Sequence, residues 1–163
     1  FQYGYIETRA KLPIGEGIWP AFWLVGDNIK EVGWPLCGEI DVMEYAGREP
    51  GIIHTSLHTK DSHGRTINTQ RTKVDKIEEY FHLYAVDWSS EKMDFYIDNK
   101  LVYTFNPANK TEEIWPYDQP FYLLFNTAVG GNFGGSKVDL TIFPQEYIID
   151  YVRVYENEAT KKL

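Results

Sequence analysis

The chain has 163 residues, enough for one domain with a hydrophobic core, and a net charge of −8. That charge argues against a nucleic-acid or anionic-membrane surface and suits a neutral partner. Aromatic residues make up 16% (5 Trp, 12 Tyr, 9 Phe), which fits a sandwich core and equally sugar stacking, while the single cysteine, Cys37, excludes an intrachain disulfide. The sequence holds no apolar run of transmembrane length and no signal peptide at Phe1, so a soluble, processed chain is expected.

Strand patterns dominate in chain order. Ile6, Thr8, Ala10 and Leu12 form one face of a first strand, with Glu7, Arg9 and Lys11 opposite. Trp19 to Val25 is apolar on both sides and reads as a central strand buried on both faces. Gly26 to Trp34 is polar and reads as a loop. Strands are expected over Ile52 to Thr59, at an exposed edge over Thr66 to Lys73, and in a meander of Tyr84 to Ser89, Met93 to Ile97 and Leu101 to Phe105. Val74 to Glu79 is the one helical turn expected, and Pro107 to Pro120 is a loop. Phe121 to Val129 and Tyr147 to Tyr155 complete an all-β chain, with residues 1–156 as one domain and 157–163 as a frayed tail.

The chemistry concentrates in Gly38-Glu39-Ile40-Asp41-Val42-Met43-Glu44-Tyr45. In an extended chain Glu39 and Asp41 share one face and Ile40 and Val42 the other. Strict alternation would drive Glu44 into the apolar face, where an unpaired carboxylate is costly. A β-bulge near Val42-Met43 returns it to the side of Glu39 and Asp41. Glu39 and Glu44 would then have Cα atoms roughly 13 Å apart, and side chains reaching about 4 Å each would bring the carboxyls to about 5 Å. A retaining glycosidase needs about 5–5.5 Å, an inverting one roughly 6.5–9.5 Å. The alternatives are a solvated acidic face, which needs no bulge, or a calcium loop, whose short Asp/Asn ladder is missing.

Trp34 to Tyr45 (WPLCGEIDVMEY) resembles the active-site strand of glycoside hydrolase family 16 in its bulged, laminarinase-like form. Tyr3 to Pro13, Gly17 to Leu24 (GIWPAFWL), Leu123 to Gly131 (LLFNTAVGG) and Ile149 to Tyr155 extend the likeness over nearly the whole chain. The resemblance implies a jelly-roll β-sandwich, a glycan cleft on its concave sheet, and retaining hydrolysis of β-1,3-glucosidic bonds. Glu39 would be the nucleophile, Glu44 the acid/base and Asp41 the residue that supports Glu39. Mixed-linkage glucan or marine galactan as substrate, or a non-catalytic glucan-binding module, are the alternatives. Secretion and a β-glucan partner follow from the same likeness, and no organic cofactor is needed.

The remaining candidates follow from residue type or from the resemblance. His54 and His58 are too far apart on a strand to share a metal, about 13 Å. The family places a histidine near the cleft at the position of His58, and His54 is left as structural. Trp34 is the leading candidate for sugar stacking, ahead of Trp19 and Trp115. Asn126 interrupts an apolar run, and a buried amide needs partners; local backbone groups could supply them, but the resemblance implies that it faces the cleft. Phe133, in the GGNFGG loop, is placed at the cleft rim. Asp150 reads as an inward acid and, by resemblance, a candidate ligand of a structural calcium. The family's domain normally carries a further segment before the position of Phe1, so a companion fragment, a second chain or a further part of the same protein is expected to complete the sheets.

Overall fold

Two five-stranded antiparallel sheets form the sandwich in a computed structural model that describes residues 1–156; the expected tail lies outside the described residues. The strands are β1 (Gly4–Lys11), β2 (Ile18–Gly26), β3 (Glu39–Tyr45), β4 (Ile52–His58), β5 (Thr69–Lys73), β6 (His82–Trp88), β7 (Met93–Ile97), β8 (Lys100–Phe105), β9 (Phe121–Val129) and β10 (Ile148–Tyr155). One sheet runs β10-β1-β6-β7-β8 and the other β5-β4-β3-β2-β9. Two four-residue helices, α1 (Ile29–Val32) and α2 (Gly131–Gly134), lie in the connections. The jelly-roll sandwich expected from the sequence is therefore the fold.

The alternation that defines β1 also fixes how the sheets meet. Ile6, Thr8 and Ala10 are fully buried and face the second sheet. Phe22 stacks on its cross-strand neighbour Phe125 at 4.7 Å, and between the sheets Trp88 packs edge-on with Phe121 and with Tyr3. Truncating a ring such as Phe22 to alanine would cost about 3–5 kcal/mol. The β7–β8 hairpin turns at Asp98-Asn99, both at positive φ (49° and 62°), which matches the right-handed twist of the strands it joins.

Four expectations change. β2 is central, but only one face enters the core; Trp19 and Trp23 alternate onto the other and stay partly exposed. The loop after β2 contains α1, and Val74 to Glu79 forms turns instead of a helix. Asp150 is not inward. β10 is an edge strand with its apolar residues largely exposed, and Asp150 sits where the pairing with β1 slips between Arg9 and Ala10. Its carboxylate pairs with Arg9 at 2.7 Å, with both side chains about half exposed.

The bulge in β3 lies where the sequence places it. Asp41 faces Ser56 and Glu44 faces His54, so Val42 and Met43 together oppose Thr55. Both are buried in the core. The Thr55 hydroxyl donates to the Val42 carbonyl at 3.3 Å, satisfying a group that the interrupted ladder leaves over. Deleting Met43 should cost at least about 3 kcal/mol, the scale of a lost large core side chain, because it also forces regular pairing against a strand built for the extra residue. Thermal melting tests this, and an unchanged midpoint would sink the argument.

Candidate active site

The register of the second sheet decides which side chains share a face. Glu39, Asp41 and Glu44 lie opposite His58, Ser56 and His54 on β4, and opposite Val25, Trp23 and Ala21 on β2. β9 adds Asn126 beside Ala21. The carboxylate row thus runs along the sheet's outward face, while Ile40, Val42 and Met43 fill the core.

Each glutamate has its own indole donor. Trp34 Nε1–H donates to Glu39 Oε2 at 2.9 Å, and Trp19 Nε1–H donates to Glu44 Oε1 at 3.0 Å. Trp34 is 45% exposed, so its ring stays available to a ligand. Gly26 lets the chain reach this geometry: a Cβ there would sit 2.1 Å from the Cys37 carbonyl, just before β3 begins.

His58 organises the other side of the row. Its Nε2 lies 3.1 Å from Asp41 Oδ2 and 3.7 Å from Glu39 Oε1. The Gly64 N–H donates to Nδ1 at 3.1 Å, which fixes the neutral ring's proton on Nε2, facing the acids. Glu39, Asp41 and His58 form a convergent ligand group, with atoms within 4.8 Å of one another, yet the donor set does not suit a resident metal. With Nδ1 accepting from Gly64, Nε2 has no lone pair to offer. Calcium prefers six to eight oxygens, and Asp150 is already held by Arg9.

Burial separates the acids electrostatically. Asp41 is pushed well above the usual carboxylate range by desolvation and then by the charge of Glu39. Glu44 is also pushed well up, by desolvation first and Asp41 second, with Trp19 opposing. Glu39 is raised by burial, but His58 and the Trp34 donor hold it down.

The outer candidates divide. Phe133 does reach the rim, 5.2 Å from Trp19 and 4.9 Å from His54, with Arg48 over its ring. Asn126 is on the row's face but exposed, accepting from Trp23 Nε1–H at 2.8 Å, so β9's edge position replaces the burial expected. Trp115 is not a surface platform. It is 3% exposed, stacks on Phe105 and donates to Asp118. A cavity of about 620 Å³ lies between α1 and the 107–120 loop and holds none of the three acids.

Sequence reasoning missed Tyr117 and the Glu49–Arg71 pair. The buried Tyr117 hydroxyl lies 3.3 Å from the carbonyls of both Glu39 and His58, clamping β3 to β4 beside the row. Glu49 accepts from Arg71 at 2.7 Å and contacts His54 at 3.0 Å, next to Glu44. Neither has a local pattern: Tyr117 comes from the 107–120 loop, and Arg71 reaches Glu49 from β5. Trp23 could have been found, because it alternates with Trp19 along β2.

The profile of glycosyl hydrolases family 16 matches residues 1–152. The chain belongs to that family. The fold is similar to that of the laminarinase from Flavobacterium sp. UMI-01, with a TM-score of 0.94 and 68% identity over 96% of this chain and 68% of that one. It is similar to the laminarinase catalytic domain from Thermotoga maritima MSB8, with a TM-score of 0.90 and 39% identity over 96% and 65% of the two chains. In sequence it is 41% identical to a β-glucanase of Rhodothermus marinus over 94% of this family 16 chain, which spans 57% of that protein's length.

Proposed function

We propose that the chain hydrolyses internal β-1,3-glucosidic bonds of laminarin-type glucans with retention of configuration. The observation that carries this is the bulged row, with two glutamates in different environments on either side of a deeply buried aspartate. Glu39, the less perturbed acid, attacks the anomeric carbon while Glu44 protonates the leaving oxygen; Glu44 then takes a proton from water as the glycosyl-enzyme is hydrolysed. Asp41 and His58 orient Glu39, and Trp34 offers a stacking face. An endo-acting enzyme of this kind works where the polymer is, outside the cell. Reducing ends released from laminarin, but not from lichenan or agarose, are the expected result. Release from agarose alone would overturn the substrate.

The same roles set the pH profile. Activity should fall as pH drops through the pKa of Glu39, which must be ionised, and fall again as pH rises through that of Glu44, which must carry a proton. Trp19→Phe keeps a ring but removes the donor that favours the Glu44 carboxylate. The alkaline limb of kcat should then move up by about one to two pH units, since a hydrogen bond to a charged group is worth about 1.5–3 kcal/mol and one pH unit corresponds to about 1.4. A limb that stays in place would detach Trp19 from Glu44's titration.

A further inference from the structure

The face of the sandwich turned away from the carboxylates carries an aromatic row of its own. On β1 the inward Ile6, Thr8 and Ala10 leave Tyr5 and Glu7 pointing outward. Tyr5 faces Tyr155 on β10 and Asp87 on β6; two residues before Asp87, Ala85 faces Tyr96 on β7. The Tyr5 ring lies 6.2 Å from both Tyr96 and Tyr155, tilted 50° and 49° to them. All three rings are at least partly exposed. The row crosses the strands from β7 to β10.

Cross-strand tyrosines stabilise a sheet by themselves, and that accounts for part of the row. The Asp94 and Glu7 carboxylates beside it are held within the sheet, by Lys92 and Arg153. Asp87 and Asp94 stand directly opposite each other, an arrangement that weakens a sheet. Lys92 and Thr104 hold the Asp94 carboxylate at 2.5 and 2.6 Å and offset part of the repulsion. Rings that can stack on the apolar faces of sugars suit a neutral polysaccharide. The acids, on a chain of net charge −8, work against a nucleic acid or a sulfated glycan.

We propose that this outer face is a second, non-catalytic binding site for a β-glucan chain. The ligand class rests on the function proposed above; the site does not. Successive units of a β-1,3-linked chain turn relative to one another, and rings tilted by about 50° can each meet one unit's face. A flat cellulose chain, whose units lie nearly parallel, fits this row poorly. Holding polymer on one face raises its local concentration at the other.

Titrating the isotope-labelled Glu39→Gln chain with laminari-oligosaccharides tests this by NMR. Two sets of shifts are expected, one on β3 and β4 and one on β1, β7 and β10. Shifts confined to β3 and β4 overturn the proposal, as does equal binding of cello-oligosaccharides on the outer face. As a second measurement, Tyr96→Thr and Tyr155→Thr retain strand-forming side chains. Each should lower retention on insoluble β-1,3-glucan roughly fivefold to tenfold, the scale of one lost ring contact, with unchanged turnover of short soluble oligosaccharides. Equal losses on both substrates would assign the tyrosines to sheet stability alone. Outer-face shifts in a chain that releases no reducing ends would sink the hydrolase reading and leave this one standing.

Discussion

Glu44→Ala should lose about 10²–10⁴-fold in kcat on laminarin, the usual worth of a positioned proton transfer, while its fold and glucan binding persist. On an activated glycoside, whose leaving group needs no proton, the glycosyl-enzyme still forms on Glu39. Azide then replaces the water that Glu44 would have activated, and a β-azide accumulates. Glu39→Ala removes the nucleophile, so azide attacks directly and gives the α-azide. The anomer, read by NMR of the product, separates the two roles where loss of activity cannot. The environments support this order: His58 and the Trp34 indole favour the Glu39 carboxylate, whereas Glu44 is more deeply buried and sits beside the charge of Asp41. Exchanged anomers would reverse the assignment.

Asp41→Asn should make the protein more stable above neutrality and less active. Asp41 titrates well above its ordinary value in the fold because it is desolvated and faces Glu39. A raised carboxyl pKa means that the native state binds the proton more tightly than the unfolded chain does. The associated stability is fully present below the unfolded value, about 3.9, and is lost as pH rises towards the folded one, at about 1.4 kcal/mol for each pH unit separating the two. Asparagine has the same shape and never ionises. The variant's melting point should therefore match the parent's near pH 4 and exceed it by several degrees at pH 8, given about 2–4 °C per kcal/mol at this size. Loss of the charge that helps raise Glu44 should also shift the alkaline limb of activity to lower pH. A melting difference that does not vary with pH would show that Asp41 titrates alike in the folded and unfolded chain, and would overturn the argument.

The sequence by itself determined the strands and the row of acids. Alternation in Ile6, Thr8 and Ala10, and the parity conflict at Glu44, are local facts of an extended chain, and the bulge at Val42-Met43 follows from them before any partner strand is known. The tertiary structure decided the surroundings. Trp115 and Trp34 look equally available as residues, but the first is enclosed by Phe105 and Tyr117 while the second is anchored to Glu39 and left open. Asn126 seemed to need burial because its neighbours are apolar, yet β9 lies at an edge, and strand order is invisible to periodicity. Asp150 shares parity with apolar residues, but the slip in β10 and the reach of Arg9 place its charge in water. His58 acquired its proton position from Gly64, six residues on, and Tyr117 reached the acids from 78 residues away. Which face a side chain takes is set by neighbours one or two residues distant. What it meets there depends on contacts between distant segments, which form only when the two sheets close.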